Sequence, residues 1–219
     1  RRTDEGIARG VFGVPAFDVD GELYWGQDRI DEVERALGGK VPTRADARSP
    51  ESEVAPVDFW FDYSSPFAAV ASARVEPLFR DALRYHPMLL GAVFRAIGTP
   101  MVPLHTFHEA KQRWARSDLL RQAREAGFPL QWPSRFPMNT VLALRTTLLA
   151  GPNTQSGRAL IHALYRAYWS QDRDIADPEV AAEVPQEAVL LEEVAAPAVP
   201  QEAVLPVVAA VPEALQEAA

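Results

Sequence analysis

A mostly apolar run from Val57 to Phe61 ends at Asp62. Because it is rich in β-branched and aromatic residues, it predicts a buried β-strand. The residues that follow the next turn, FAAVASARVEPLF, predict a helix with Pro66 at its first turn, where a missing N–H costs nothing. A strand, a short turn and a helix are therefore the first predicted elements.

Two serines, Ser64 and Ser65, lie in the turn before this helix. Serine is a common helix N-cap, and from these residues alone the cap is the favoured interpretation. A hydroxyl at this place also faces the free N–H groups and the positive end of the helix dipole, where a thiolate or carboxylate is stabilised. A role in binding an anion therefore stays open beside the capping role.

The first forty residues have a different pattern of apolar and polar positions. Residues 3–10 predict the end of a helix, Val11 to Val14 and Ala16 to Val19 predict strand pieces, and Asp20-Gly21 predicts a hairpin turn before a returning strand from Glu22 to Trp25. Pro15 interrupts the strand pattern, so it must lie at an edge, a bulge or a special turn. A cis Val14-Pro15 bond is one such arrangement.

After Gly26 the sequence GQDRIDEVERALGG predicts a helix that ends at its paired glycines. Asp28 is its candidate N-cap. Ile30, Val33 and Leu37 recur at helical spacing, which predicts one apolar face for packing.

The remaining chain gives a second strand at Arg84 to Met88, a short helix ending at Gly98, and a long helix from Glu109 that stops at Gly127. Two further amphipathic helices follow. We predict five segments: residues 1–39, a β-hairpin and helix; residues 40–56, a Pro-rich charged linker; residues 57–98, a βαβ unit; residues 99–180, a helical domain; and residues 181–219, a tail.

The tail has a composition of its own. The sequence VPQEAVL occurs at Val184–Leu190 and again at Val199–Leu205, and Ala, Val, Glu and Pro make up nearly all of it. Two copies are too few for a repeat domain. Because prolines recur through it, we predict low-complexity chain that is disordered or forms short fraying helices and does not pack.

The composition limits the chemistry. The 219 residues contain no cysteine, which excludes disulfides, thiolate metal sites and thiol chemistry with the protein's own sulfur. His105 and His108 are the only histidines close together, and without a suitably spaced carboxylate we predict no metal site. No apolar run is long enough to span a membrane and the N-terminus lacks a signal-peptide pattern, so we expect a cytoplasmic protein.

The net charge of −8 is unevenly spread. All 22 lysines and arginines lie at or before Arg173, whereas ten of the 30 acidic residues follow it. The isoelectric point near 5.1 and the lack of a basic patch argue against nucleic acid as a partner.

Several motifs carry a resemblance to a known family. VDFWFDYSSPFAAVAS, HPMLLGAVFRAIG, EAKQRW and FPMNTVLALR resemble 2-hydroxychromene-2-carboxylate isomerases, which belong with the kappa-class glutathione transferases. The stretch GVFGVPAFDVDGELYWGQDRIDEVERALG resembles the C-terminal end of the same family. The resemblance implies an α/β, thioredoxin-like fold with an inserted α-helical domain.

The order of these motifs is reversed in this chain. Family members run from the DYSSPF strand through the helical domain to the GVP strand and the last helix, whereas here the GVP half comes first. The fold is therefore predicted to be circularly permuted, with a low-complexity C-terminal tail. The seventeen residues 40–56 span roughly 20–25 Å as a random coil, which suffices to join former termini that lie close together.

The resemblance implies a role for Ser65. It places Ser65 where thioredoxin-fold redox enzymes carry their first cysteine, with Ala68 at the second position. Glutathione is the implied cofactor, and Ser65 is implied to donate a hydrogen bond to its sulfur and favour the thiolate.

The same resemblance implies the residues that bind glutathione. Val14 before Pro15 matches the cis-proline site, whose backbone pairs with the cysteinyl group. Gln27 and Asp28 match the pair that holds the γ-glutamyl group, and Lys111 matches a lysine that reaches the glycyl carboxylate or the substrate acid. The alternatives are an ordinary strand-end proline, an N-capping aspartate and a solvated lysine.

Three functions remain from the sequence. The first is a glutathione-dependent cis–trans isomerase of a small aromatic acid such as 2-hydroxychromene-2-carboxylate. The second is a kappa-like glutathione transferase that acts on another electrophile. The third is a permuted thioredoxin-like module without activity. Family members are typically dimers, so a homodimer is one expected assembly.

Overall fold

The computed structural model describes residues 2–40 and 55–195, and the side chains within them up to residue 188. These residues divide into two compact units. The first unit comprises the described residues within Arg1–Glu53 and Val102–Gln122, and the second those within Val54–Met101 and Ala123–Ala219. The division falls inside one long helix.

The described residues form eight α-helices and four strands. They are α1 (Arg2–Ala8), β1 (Ala16–Val19), β2 (Glu22–Trp25), α2 (Ile30–Ala36), β3 (Val57–Phe61), α3 (Pro66–Phe79), β4 (Leu83–Pro87), α4 (Leu90–Ile97), α5 (Glu109–Glu125), α6 (Val141–Ala150), α7 (Gln155–Trp169) and α8 (Pro178–Ala195). A short 3-10 helix, Gln27–Arg29, lies between β2 and α2.

The hairpin in the first unit is confirmed. β1 and β2 pair antiparallel, and the turn residues Asp20 and Gly21 both have positive φ, as a two-residue hairpin turn with the right twist requires. The strand predicted at Val11 to Val14 is wrong. Pairing begins only at Ala16 opposite Trp25, where β2 ends, so Val11 to Val14 have no strand partner in the part of the chain that the structure describes.

Helix α2 packs differently from the prediction. Ile30 and Leu37, expected on a packed apolar face, are exposed, and the buried residue of the helix is Glu32. Asp28 makes no capping hydrogen bond. The physical reason is that two arginines bind the carboxylates on this side, and Asp28 turns to Arg29 instead of the helix amides.

In the second unit, β3 and β4 run parallel and α3 connects them, which confirms the predicted βαβ arrangement. The strand β3 is buried on one face only. Phe61 is buried, whereas Trp60 is 61% exposed and stacks on His86 of β4. The apolar run of β3 predicted a buried strand; its alternating exposure shows instead that Trp60 and Asp58 point to solvent.

Helix α7 forms the centre of the second unit. Its aromatic residues Tyr165, Tyr168 and Trp169 are fully buried, and α6 and α8 pack against it. Phe61 and Tyr63 reach this core from β3 and the following turn, with ring centroids 5.9 and 5.0 Å from that of Tyr165. The turn that carries the serines is therefore attached to the helical core.

The prediction for the start of the tail is wrong up to Ala195. Residues 178–195 form α8, with Pro185 inside it, and Ala181, Val184 and Ala188 are buried. Spacings of three and four residues place these side chains on one helix face, and burial of that face offsets the loss of one backbone hydrogen bond at the proline.

Two predicted segments lie largely or partly outside the described residues. These are the linker at 40–56, of which only its ends are described, and the tail beyond Ala195. The boundaries predicted for the five segments and the permuted order of the halves remain predictions.

Candidate functional site

The turn after β3 is built around the carboxylate of Asp62. This side chain is only 3% exposed, and its oxygens accept hydrogen bonds from the Ser64 N–H at 3.0 Å, the Leu90 N–H at 2.7 Å and the Thr140 hydroxyl at 2.7 Å. Three donors compensate the burial of the charge, as a buried carboxylate requires. Asp62 thus joins the serine turn to the first residue of α4 and the residue before α6.

Ser65 is the N-cap of α3, which confirms the capping interpretation. Its backbone is extended, its N–H donates to the Asp62 carbonyl at 3.0 Å, and its hydroxyl oxygen accepts the Ala68 N–H at 3.2 Å. Because the oxygen is the acceptor in that bond, the hydroxyl proton remains available to donate. Capping and donation to an anion are therefore compatible at this serine.

Buried side chains of the helical core hold the same turn. The indole N–H of Trp169 donates to the Tyr63 carbonyl at 2.7 Å, and the Tyr165 hydroxyl donates to the Asp62 carbonyl at 3.4 Å. The Ser64 hydroxyl accepts the Met138 N–H at 3.3 Å. Few backbone groups of the turn are free to rearrange, so the position of Ser65 is well defined.

The tyrosines around the turn are not acid–base groups at neutral pH. Burial raises the pKa of Tyr63 and of Tyr165 far above the ordinary value, and the nearby Asp62 charge adds to both shifts. Burial likewise raises the pKa of Tyr168. Since all three stay protonated, they contribute hydrogen bonds and packing to the turn.

The first unit contains the predicted cis-proline site. The Val14-Pro15 bond is cis, as the resemblance implies, and Val14 is 85% exposed. The Pro15 carbonyl accepts the Gly26 N–H at 3.0 Å, which ties this loop to the end of β2. A side chain at Gly13 would lie 2.7 Å from the indole nitrogen of Trp25, so glycine is needed for the indole to pack there.

Gln27 and Asp28 directly follow that contact. Both are exposed and lie in the 3-10 helix, one residue beyond Gly26. Asp28 accepts a hydrogen bond from Nη1 of Arg29 at 2.6 Å, and its side chain is 69% exposed. An exposed carboxylate with one guanidinium partner has lone pairs left for a further cation.

Lys111 is a half-buried residue of α5. Its ammonium lies 4.1 Å from the ring centroid of Phe107 and 5.2 Å from that of Trp25. Trp25 also packs on Phe12 and Trp114, and the Trp114 indole donates to the Leu23 carbonyl at 3.1 Å. These aromatic contacts bring Lys111 to the strand that leads to Gln27 and Asp28.

The structure thus groups five of the predicted site residues in the first unit: Val14, Pro15, Gln27, Asp28 and Lys111. Ser65 belongs to the second unit. Phe136 and Trp132, also in the second unit, pack with each other and against the buried Trp169.

Sequence reasoning missed the residues that hold these sites in place. Asp62 was visible only as the end of an apolar strand, and its partner Thr140 lies 78 positions away. Arg29 and Asp118, which bind each other across 89 positions, had no distinguishing motif. The one signal available in the sequence was position, because Asp62 and Arg29 lie within three residues of the predicted site residues Ser65 and Asp28.

Two further properties concern the described part of the chain. None of its helices has the length and apolar character that crossing a membrane would need. Among the same residues, 2–40 and 55–195, no three His, Asp or Glu side chains are grouped so as to hold a metal ion.

The chain is similar to known isomerases over part of its length. It is 30% identical over 118 residues to a 2-hydroxychromene-2-carboxylate isomerase from Pseudomonas putida, which covers 52% of this chain and 56% of that protein. It is 32% identical over 119 residues to a protein of the same name from Pseudomonas sp. strain C18, covering 52% and 53%. The chain therefore matches about half the length of these curated relatives.

Structural comparison gives the fold. A solved structure of 2-hydroxychromene-2-carboxylate isomerase superposes with a TM-score of 0.52 at 24% identity, and the match covers 73% of this chain and 75% of that one. The model of the DSBA-like thioredoxin domain family matches residues 1–38 and 56–216, which is most of the chain. These results confirm the predicted thioredoxin-like fold. The chain belongs to the family of DSBA-like thioredoxin domains.

Proposed function

We propose that the chain is a glutathione-dependent cis–trans isomerase that acts on aromatic acids similar to 2-hydroxychromene-2-carboxylate. The observation that carries the proposal is the hydrogen bonding of Ser65. Its hydroxyl oxygen caps a 14-residue helix as an acceptor, and its proton takes no part in that hydrogen bond. The names of the two partial-length relatives supply the reaction and the substrate class.

The residues present fit a cofactor that brings its own sulfur. The sequence has no cysteine, and a serine is the N-cap of α3, the position at which the family resemblance implies a cysteine in redox enzymes of this fold. Glutathione, when bound, supplies a thiolate that can add reversibly to a conjugated carbon and so permit rotation about the adjacent bond. Isomerisation of this kind needs no oxidant or reductant.

The chain's own contribution at the sulfur is electrostatic. The Ser65 hydroxyl donates a hydrogen bond, and the positive end of the α3 dipole favours an anion over a neutral thiol. The rigid turn around Asp62 fixes the direction of that donor before any ligand arrives. Preorganised donors of this sort stabilise charge without reorganisation during the reaction.

The first unit, taken by itself, carries groups whose chemistry suits the γ-glutamyl, cysteinyl and glycyl parts of glutathione. Asp28 provides a carboxylate for the γ-glutamyl ammonium, with Gln27 beside it. Lys111 provides a cation for a glycyl or substrate carboxylate. The exposed backbone at Val14-Pro15 suits the cysteinyl group, which binds to such sites as an added strand does.

The test is isomerisation of 2-hydroxychromene-2-carboxylate followed by absorbance, with and without glutathione. We expect turnover only with glutathione, and Ser65→Ala should lower kcat/KM about 10²-fold through loss of one donor to an anion. Thr154→Ala is the matched control. Thr154 caps α7 in the same way, by accepting the Gly157 N–H at 3.0 Å, so both variants lose a cap but only one should lose activity.

Three outcomes would contradict the proposal. Full activity of Ser65→Ala would remove the serine from the mechanism. Conjugation of glutathione to an electrophile such as chlorodinitrobenzene, without isomerisation, would favour the kappa-like transferase. Absence of both reactions in a folded protein would leave a thioredoxin-like module without these activities.

A further inference from the structure

The turn that carries Gln27 and Asp28 lacks an apolar anchor. The 3-10 helix has no buried residue, and Ile30 of α2 and Leu37, which follows α2, are exposed. The buried residue of α2 is Glu32, an acid. Something other than hydrophobic burial must therefore fix this turn on the first unit.

Arg29 provides that attachment. Its Nε and Nη2 donate to the two oxygens of Asp118 on α5 at 3.1 and 3.0 Å, which is a two-point contact. Its Nη1 donates to Asp28 at 2.6 Å, and its Nε lies 3.3 Å from Glu32. One planar guanidinium thus connects the exposed Asp28 to the buried Asp118.

Arg121 completes the cluster on the buried side. Its Nε donates to Glu32 at 3.0 Å, it also binds Asp118, and its guanidinium lies 3.9 Å from the ring centroid of Tyr24. Asp118 is 3% exposed in its side chain, and Gln122 donates to it as well at 2.8 Å. The far end of the Arg29 contact is therefore held firmly on α5 and against β2.

The charges of the cluster do not balance. Three carboxylates, those of Asp28, Glu32 and Asp118, face the two guanidiniums of Arg29 and Arg121. Glu32 and Asp118 are enclosed by arginines, so the surplus negative charge is exposed at Asp28. Within residues 2–40 and 55–195, Arg29 is the one cation in contact with Asp28, so an ammonium group from solution would complement this end.

We infer that Arg29, held by Asp118, is a positioning residue that fixes Gln27 and Asp28 for the γ-glutamyl group of the cofactor. The inference rests on the proposed function, because it assumes glutathione as the ligand. The buried ion cluster thereby contributes to the affinity for the γ-glutamyl end of glutathione.

The experiment compares two ligands by calorimetry: glutathione, and cysteinylglycine, which lacks the γ-glutamyl group. Arg29→Lys keeps the positive charge but loses the two-point contact. We expect its Kd for glutathione to rise about 10-fold, with the Kd for cysteinylglycine unchanged within about 2-fold. Asp118→Asn should give the same split, and if it fails to fold, Arg29→Lys decides alone.

Arg9→Gln is the matched control, because Arg9 also bridges two acids, Glu5 and Asp18, but on the surface of the same unit. It should alter neither Kd. Equal weakening of both ligands by Arg29→Lys, or no weakening, would overturn the inference. Wild-type protein that binds glutathione but does not isomerise would overturn the proposed function and leave this inference standing, whereas no binding at all would overturn both.

Discussion

The two turns that carry predicted site residues are held in place by opposite kinds of interaction. Around Ser65, one buried carboxylate, Asp62, accepts neutral donors, and the surrounding core is aromatic. Around Asp28, buried acids and arginines bind each other as ions. Both turns precede a helix, but only α3 has a side-chain cap.

This difference has consequences for stability. Neutral donors that lose a buried acceptor are left unsatisfied one by one, and no rearrangement of charge can compensate them. In an ion cluster, removal of one partner strands a charge, but removal of a matched pair leaves a balanced remainder. The two units should therefore respond differently to single and paired substitutions.

The largest effect is expected at the serine turn. Asp62→Ala leaves the Leu90 N–H, the Ser64 N–H and the Thr140 hydroxyl without their acceptor, at about 1–3 kcal/mol each. We expect the free energy of unfolding to fall by at least about 3 kcal/mol in urea titrations. The control is Asp58→Ala, whose exposed carboxylate binds His86 at 2.7 Å and should contribute less than about 1 kcal/mol. Equal losses in the two variants would show that the buried hydrogen bonds do not distinguish this turn.

A single substitution in the ion cluster should lower the free energy of unfolding slightly less, and a second substitution should restore it. Arg121→Met leaves the buried Glu32 with only its 3.3 Å contact to Arg29 and takes one guanidinium from Asp118, so it is expected to lower the free energy of unfolding by about 3 kcal/mol. The double variant Arg121→Met/Glu32→Leu leaves Arg29 and Asp118 as a balanced pair, so we expect its stability within about 1 kcal/mol of wild type. Urea titrations of both variants measure this, and a double variant less stable than the single would contradict the ionic description.

The contrast also separates what the sequence could predict from what it could not. The hairpin, the βαβ unit and the cap at Ser65 follow from patterns in continuous stretches of chain, from Val57 to Pro87 in the case of the βαβ unit, and all three are confirmed. The stripe at Ala181, Val184 and Ala188 was equally local, but the prolines were given more weight than the spacing, so α8 was missed.

The anchors of both turns could not be derived in the same way. Asp62 pairs with Thr140, and Arg29 with Asp118, at separations of 78 and 89 positions. A polar residue in the sequence looks the same whether it will be solvated or buried with a distant partner. The apolar spacing of Ile30 and Leu37 even favoured the wrong face of α2, because burial there is ionic.

The two units should also differ in the sign of one pH effect. Burial raises the pKa of Glu32, and Asp118 adds to this, against the lowering effect of Arg121 and Arg29. In the second unit, the hydrogen bond with His162 lowers the pKa of Glu76, and Arg158 adds to that shift, against burial. The ordinary value for both is 4.5.

Linkage gives opposite expectations for the two glutamates. Because the pKa of Glu32 is raised in the folded protein, Glu32 contributes stability below pH 4.5 that is lost as the pH rises through its folded-state pKa. Glu32→Gln should therefore abolish this loss of stability above pH 4.5. Because the pKa of Glu76 is lowered in the folded protein, Glu76 contributes stability above pH 4.5 that is lost as the pH falls through its folded-state pKa. Glu76→Gln should therefore reduce the loss of stability on acidification below pH 4.5. Thermal unfolding of the three proteins from pH 3 to 7 measures both slopes. If the two substitutions changed the slope of stability against pH in the same direction relative to wild type, this assignment would be contradicted.

The smallest effect is expected where ions lie on the surface of the second unit. Arg173 donates to Glu187 at 2.9 and 3.1 Å and to Glu183 at 2.8 Å, but both acids are half exposed or more. Because solvent screens such pairs, Arg173→Gln should lower the free energy of unfolding by less than about 1 kcal/mol.

Ala181→Asp, which places a charge in the buried stripe of α8, should instead release the helix and increase amide exchange along residues 178–188. If Arg173→Gln released α8 and Ala181→Asp did not, the helix would be held by surface ions and not by its apolar face.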